Sequence, residues 1–153
     1  MSRKDVMIVT GAGQNSMAIA RRMGFGKKIV MGDKNINNAK AIAEIMNNAG
    51  FDVEPVEMDL SSRESILSLI AKAQEYGDIK MLVNGAGVSP SKAPIEAILK
   101  VDLYGTDVLL EEVGKELPRE AVELQYQASQ AGECLSLQQR RMQNWQQRQQ
   151  KNC

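Results

Sequence analysis

The stretch that decides the fold runs from residue 6 to residue 16 and reads VMIVTGAGQNS. Its first four residues are apolar and mostly β-branched, which is typical of a strand buried on both faces of a sheet. A glycine-rich turn follows, and from Ser16 the apolar residues recur at helical spacing until Gly24, a natural helix stop. The stretch therefore predicts a strand, a tight turn and a helix, in that order.

The same alternation of strand and helix continues along the chain to about residue 114. Short apolar runs alternate with longer segments of helical period, a pattern typical of parallel βαβ units. The predicted strands cover residues 28–32, 53–58 and 81–83, and the predicted helices cover residues 37–48, 61 or 62 to 74, and about 94–114. We therefore predict an α/β fold for residues 1–115, a Rossmann-type parallel sheet of strand order 3-2-1-4 with helices on both faces.

The composition of the chain changes abruptly after Lys115. Ten glutamines lie between Gln125 and Gln150, whereas the preceding 124 residues contain only Gln14 and Gln74. Glutamine, glutamate and arginine favour helix, and the sparse apolar residues of this segment supply no further strand. We expect a helical or disordered tail over residues 116–153 and no fifth strand.

The overall charge and the cysteines limit the classes of partner. The 153 residues carry 19 basic and 19 acidic side chains, so no strong field favours nucleic acid or an anionic membrane surface. Cys134 and Cys153 have no neighbouring ligands that would complete a metal site. No segment reaches the roughly 20 apolar residues that span a bilayer. We expect a cytoplasmic protein with a small-molecule partner.

The turn after the first strand has the spacing of a dinucleotide fingerprint, Gly11-x-Gly13-x-x-Ser16. Gly11 allows the tight turn, and Gly13 allows the backbone to approach a pyrophosphate. Gln14 and Asn15 would begin the helix, and their backbone N–H groups would bind the negatively charged phosphate. Ser16 replaces the usual third glycine or alanine, a departure that weakens the match. The spacing alone would also fit a glycine-rich turn between a strand and a helix that binds no dinucleotide.

Asp33 supports the dinucleotide interpretation. It ends the second predicted strand, twenty residues after Gly13, where a carboxylate can accept hydrogen bonds from both ribose hydroxyls of adenosine. The same charge would repel the 2′-phosphate of NADP. Lys34 beside it leaves NADP open, and we expect NAD to be the favoured cofactor.

Four motifs together resemble the short-chain dehydrogenase/reductase family over residues 5 to about 114. They are TGAG at residues 10–13, Asp59-Leu60, NGAG at residues 84–87, and VDLYGT at residues 101–106. The resemblance implies that Asp59 and Leu60 contact the adenine. It also implies that a segment after the fourth strand lines the cofactor, namely Asn84, Gly85, Ala86 and Gly87. Taken singly, Asp59 could instead cap a helix, and the glycines could simply form a turn.

The family's activity is hydride transfer between nicotinamide and an alcohol or ketone, and the resemblance implies a parent enzyme of this kind. Two residues depart from the family pattern, because Gly85 and Asp102 stand where the family has asparagines. The resemblance further implies a homo-oligomer packed through the helix at residues 94–114.

The catalytic half of the family pattern is missing. The family needs a serine, a tyrosine and a lysine four residues after the tyrosine, whereas Tyr126 is followed by Gln130, which has no charge to lower the pKa of the phenol. We therefore expect no catalytic residues and retained cofactor binding. A non-catalytic, regulatory dinucleotide-binding module is the alternative. A scaffold function, in which the tail forms an interaction helix, is the least favoured alternative, because residues 119–150 show no sustained heptad.

A frameshift near residues 114–116 is our hypothesis for the change of character. When the tail is read from the third base of each codon, suitable synonymous codons give a glycine-rich turn and an apolar run ending in serines. That shifted sequence resembles the fifth strand and serine loop of the family. On this hypothesis the chain is a truncated form of the parent enzyme.

Overall fold

The computed structural model of the chain describes residues 3–88 and 92–118, and the backbone of residues 122–125. Five parallel strands form one sheet in the order β3-β2-β1-β4-β5. The elements are β1 Lys4–Thr10, α1 Gln14–Met23, β2 Lys28–Asp33, α2 Ile36–Asn48, β3 Asp52–Glu57, α3 Arg63–Tyr76, β4 Gly77–Asn84, α4 Ile95–Ile98, a π-helical segment Leu99–Gly105, α5 Thr106–Glu116 and β5 Val122–Gln125.

The predicted Rossmann-type fold and the strand order 3-2-1-4 are confirmed. The register aligns the carboxyl ends of the three central strands, since Thr10 pairs with Gly32 on one side and with Asn84 on the other. The turns that leave these strands therefore emerge side by side at one edge of the sheet. In open parallel sheets this edge is where ligands bind.

Helices cover both faces of the sheet, and β1 shows how the sequence achieves this. Val6 and Ile8 belong to the core cluster that includes apolar residues of α3 and α5. Met7 and Val9 belong to a second cluster with residues of α1 and α2. Successive side chains of a strand point to opposite faces, so a continuous apolar run is needed where both faces are buried.

The prediction that no fifth strand exists is wrong. Residues 122–125 pair in parallel with β4, from Met81 opposite Val122 to Asn84 opposite Gln125. The sequence here alternates apolar and polar residues over four positions, which is too short to stand out beside a glutamine-rich segment. The available edge of β4 supplies the hydrogen-bonding partner that the local pattern does not reveal. Of the tail expected to be helical or disordered, residues 119–121 and 126–153 lie outside the described residues.

The helix predicted over residues 94–114 is present, but it is not a single regular α-helix. Seven residues, Leu99–Gly105, form a π-helical segment between α4 and α5. A Cβ on Gly105 would lie 2.3 Å from the Leu60 carbonyl oxygen, so glycine allows this segment to approach the loop after β3. Among the described helices, none has the length and apolar character needed to cross a membrane.

Candidate functional site

The glycine-rich turn after β1 packs directly against the segment that follows β4. Gly11 has a φ of +80°, in the left-handed region that favours glycine, and its N–H donates to the Gly32 carbonyl at 2.7 Å. A Cβ on Gly11 would lie 2.7 Å from both the Ala86 nitrogen and the Gly85 carbonyl carbon. The turn therefore requires glycine both for its backbone conformation and for its contact with the segment after β4.

The N-terminus of α1 opens onto unfilled space. Gly13 is the N-cap in an extended conformation and makes no side-chain capping bond. A Cβ built on Gly13 would meet nothing within 4 Å, and Gln14 and Asn15 in the first turn are exposed. The first amides of a helix have no acceptor within the helix, and they carry the positive end of its dipole. The residues present therefore fit a diphosphate approaching the backbone at Gly13.

Asp33 accepts two backbone hydrogen bonds, one from this turn and one from the loop after β2. Its Oδ2 accepts the Ala12 N–H at 2.7 Å, and its Oδ1 accepts the Asn35 N–H at 2.7 Å. A carboxylate oxygen has two acceptor sites, so each oxygen can accept a further bond. The structure thus places the Asp33 carboxylate beside the glycine-rich turn, as the sequence spacing requires.

Lys34 and Asp59 share a second part of the same edge. They line an open cavity of about 520 Å³ together with residues of β3 and α3. A hydrogen bond of 2.7 Å from the Ser61 hydroxyl lowers the pKa of Asp59, burial opposes this, and the Ser61 N–H and the charge of Lys34 lower it further. Ser62, not Asp59, is the N-cap of α3, so the helix-capping alternative for Asp59 is wrong.

The remaining predicted residues of this region differ in exposure. Leu60 is buried and belongs to the core cluster on the α3 and α5 face. Its side chain is therefore occupied in packing, and any contact with an adenine would come from its backbone. Ala86 is partly buried and Gly87 is exposed, both in the segment after β4.

Asn84 ties three elements together at the end of β4. Its Oδ1 accepts the Thr10 hydroxyl, and its Nδ2 donates to Thr106 Oγ1 at 3.3 Å. The Gly85 N–H donates to the Thr10 carbonyl at 2.9 Å. All three side chains, those of Asn84, Thr10 and Thr106, are buried. The family motifs contain both threonines, but a structural role for them becomes visible only when their contact with Asn84 is known.

Asp102 makes a separate contact with the loop after β4. Its Oδ1 accepts the Val88 N–H at 3.0 Å, and a Cβ on Gly87 would lie 3.2 Å from the same oxygen. Burial raises the pKa of Asp102, and the Val88 N–H opposes that shift. The carboxylate at this departure from the family pattern therefore holds the loop that is expected to line the cofactor.

The structure brings most of the predicted site residues together at one edge of the sheet. The glycine-rich turn, Asp33 and the segment 84–87 are in direct contact or joined by hydrogen bonds. Ser16 is 2% exposed and lies behind the turn, so it faces the protein interior. Tyr126 and Gln130 lie outside the described residues.

Comparisons with known proteins agree with this arrangement. The sequence model of the short-chain dehydrogenases matches residues 5–133, past the predicted boundary at residue 115. The short-chain dehydrogenase/reductase bsc3 of Alternaria brassicicola is 35% identical over 112 residues, which is 73% of this chain and 41% of that protein. The chain therefore spans less than half the length of this curated relative.

Solved structures with the same fold include two reductases described with cofactors. A 3-ketoacyl-(acyl-carrier-protein) reductase of Brucella melitensis complexed with NADH has a TM-score of 0.62 at 22% identity, over 73% of this chain and 50% of that one. A variant of actinorhodin polyketide ketoreductase with NADPH has a TM-score of 0.65 at 24% identity, over 74% of this chain and 47% of that one. At these identities the likeness shows the shared fold.

Proposed function

The chain belongs to the short-chain dehydrogenase family, and from this premise we propose that the crevice between β1 and β4 binds NAD. The observation that carries the proposal is the position of Asp33, whose Oδ2 lies 2.7 Å from the Ala12 nitrogen in the glycine-rich turn. One acceptor group beside one phosphate-binding turn is the arrangement that an adenosine diphosphate moiety needs. Both known cofactor forms, NADH and NADPH, occur among the structural relatives.

Each part of the crevice has a defined task in this proposal. The amides at Gly13 and Gln14 bind the diphosphate, and Asp33 accepts the hydroxyls of the adenosine ribose. Asn84 fixes the end of β4 relative to β1, and Asp102 holds the loop at Val88. The bound nicotinamide would supply hydride transfer. The chain's own residues bind and orient it at the carboxyl edge of the sheet.

The preference for NAD rests on charge at the ribose. The Asp33 carboxylate would repel a 2′-phosphate, whereas it can accept a 2′-hydroxyl. Lys34 is exposed beside Asp33 and carries the opposite charge, which moderates the discrimination. We expect NAD to bind more tightly than NADP, by a factor that Asp33 largely sets.

We propose that this chain binds the cofactor without turning it over. Its parent would transfer hydride between nicotinamide and an alcohol or ketone, using a tyrosine whose pKa a nearby lysine lowers. In this chain Gln130 stands four residues after Tyr126, and an amide cannot lower that pKa by charge. The pair Tyr126 and Gln130 therefore supplies no activated phenol for proton exchange with a substrate.

Isothermal titration with NADH beside an activity assay tests this proposal. We expect saturable NADH binding at one site, weaker binding of NADPH, and no turnover with a panel of alcohols and ketones. The titrated protein is the full chain. Turnover of any substrate would contradict the loss of catalysis, and absence of NADH binding would contradict the site.

A second candidate, a dinucleotide-binding module with no catalytic role, is favoured by one observation. The beginning of the tail contributes β5 to the sheet, as a tail that folds with its domain would do. Resequencing the gene around codons 110–120 separates the two candidates. A missing or extra base that restores the family's serine, tyrosine and lysine supports the truncated enzyme, and an intact frame supports the module.

We also propose that two copies of the chain associate through the helical segment at residues 95–104. Three apolar side chains four residues apart, Ile95, Leu99 and Leu103, are 73%, 52% and 52% exposed. Tyr104 beside them is 48% exposed. Side chains four residues apart in a helix lie on one side of it, so they form one apolar strip. A second copy would cover the strip with an identical one, as a two-fold interface does.

Leu99→Glu is expected to shift the chain from dimer to monomer in sedimentation velocity. A charge at the centre of the strip would have to be desolvated in the interface, which the association cannot compensate. Leu67→Glu on α3 is the matched control, since Leu67 is also exposed (44%) but lies outside the strip. A wild-type chain that stays monomeric, or equal effects of both substitutions, would refute this interface.

A further inference from the structure

Two positions where the sequence departs from the family pattern, Ser16 and Gly85, are in contact. Ser16 lies in the first turn of α1, and Gly85 is the first residue after β4. A Cβ built on Gly85 would lie 2.0 Å from Ser16 Oγ, which is far inside van der Waals contact. Its next neighbours, the Thr10 carbonyl oxygen and Ser16 Cβ, would lie at 3.1 Å and 3.3 Å. The serine hydroxyl therefore occupies the space that a side chain at position 85 would need.

The backbone at Gly85 does not itself require glycine. Within the described residues, φ lies in the left-handed region only at Gly11, Gly26 and Gly50, so Gly85 has a conformation that other residues can adopt. The Ser16 hydroxyl is thus the main obstacle to a larger residue at position 85. Because Ser16 is only 2% exposed, its hydroxyl has little room to rotate away without a shift of the helix.

The contact also lies where it can control the shape of the crevice. Gly11, at the other end of the same turn, packs against the Gly85 and Ala86 backbone. The two contacts together set the distance between the N-terminus of α1 and the segment after β4. That distance decides where the amides at Gly13 and Gln14 meet a diphosphate relative to the rest of the dinucleotide.

We propose that Ser16 and Gly85 form a sterically matched pair that positions the N-terminus of α1 for diphosphate binding. The inference rests on the proposed function, because it assigns the pair a task in the same crevice. Ser16 is then a positioning residue that does not touch the cofactor, and the departure at position 85 compensates for the departure at position 16. Replacing either residue alone would overpack the contact or leave a cavity in it.

The test is a double-substitution cycle of Gly85→Ala, Ser16→Ala and the two combined, in the full chain. Gly85→Ala is expected to lower the urea midpoint of unfolding by about 1 M and to weaken ADP-ribose binding about tenfold, because the added methyl group overpacks the contact. The same Gly85→Ala change in the Ser16→Ala background is expected to have little effect on either measurement. The background removes the one atom that collides with the new Cβ.

A comparison of ligands separates positioning from general loss of stability. Titration with 5′-AMP probes mainly the adenosine side near Asp33, whereas ADP-ribose adds the second phosphate and ribose. We expect Gly85→Ala to weaken ADP-ribose binding and to leave the affinity for 5′-AMP within about twofold. If Gly85→Ala weakened the binding of ADP-ribose and of 5′-AMP equally, the positioning role would be overturned.

The steric pairing can also fail independently of the proposed function. If Gly85→Ala shifts the urea midpoint equally in the wild-type and Ser16→Ala backgrounds, the pair is not matched and the inference is wrong. If the wild type binds neither ADP-ribose nor NADH, the proposed function fails, and the positioning role fails with it. In that case the urea midpoints alone still decide whether the two residues collide.

Discussion

Gly11→Ala is expected to lower the free energy of unfolding by about 3 kcal/mol and to abolish NADH binding, because strain and overpacking act together. At a φ of +80° an alanine is strained wherever it stands. Its Cβ would also meet the backbone of Gly85 and Ala86 at 2.7 Å, and backbone atoms cannot rotate away as a side chain can. The turn would separate from the segment after β4 and open the crevice.

Gly26→Ala is the matched control for this substitution. Gly26 has a similar φ of +75°, but a Cβ built there would meet nothing within 4 Å. Its cost should be that of backbone strain alone, about 1 kcal/mol, with NADH affinity unchanged. Urea unfolding and isothermal titration measure both effects. Equal destabilisation by the two substitutions would show that the close approach of Gly11 to Ala86 makes no contribution to stability.

Asp33→Asn is expected to weaken NADH binding about tenfold and to reduce the preference of NADH over NADPH by a similar factor. The substitution removes the charge that repels a 2′-phosphate. It also replaces one carboxylate oxygen by an amide group that donates, opposite the Ala12 or Asn35 N–H, so one of the two backbone bonds is lost. Parallel titrations with NADH and NADPH measure the change in preference.

Asp5→Asn is the control for the change in net charge. Asp5 is exposed near the start of β1, so it lies at the opposite edge of the sheet from the crevice. The two variants have the same net charge, and only the Asp33 variant should alter the ratio of affinities. An unchanged ratio in Asp33→Asn would refute the assignment of Asp33 to the adenosine ribose.

The parts of the fold that the sequence predicts are those that depend on local patterns. The continuous apolar run Val6 to Val9 predicts a strand that is buried on both faces. In the structure its residues alternate between the two core clusters on opposite faces of the sheet. Gly11, Gly13 and Asp33 follow from spacing, since a turn and the end of the next strand have fixed positions in a βαβ unit. Their contacts with a cofactor stay predictions.

Other features depend on partners that are distant in the chain. The strand at Val122–Gln125 forms because the edge of β4 is available, and four residues do not encode that by themselves. The close packing of Gly105, within the π-helical segment, on Leu60 likewise joins residues that are distant in the chain. Ser16 and Gly85 each look like an isolated departure from the family pattern, and only the fold reveals that they meet.

We propose that a dinucleotide binds at the carboxyl edge of the sheet, between the turn after β1 and the segment after β4. A titration of the isotopically labelled full chain with NADH, followed by backbone amide NMR shifts, tests it most directly. We predict the largest shifts at Gly13, Gln14, Asn35 and Gly87. Shifts confined to the opposite edge, around Lys4, Lys28 and Gly77, or no shifts at saturating NADH, would contradict the account.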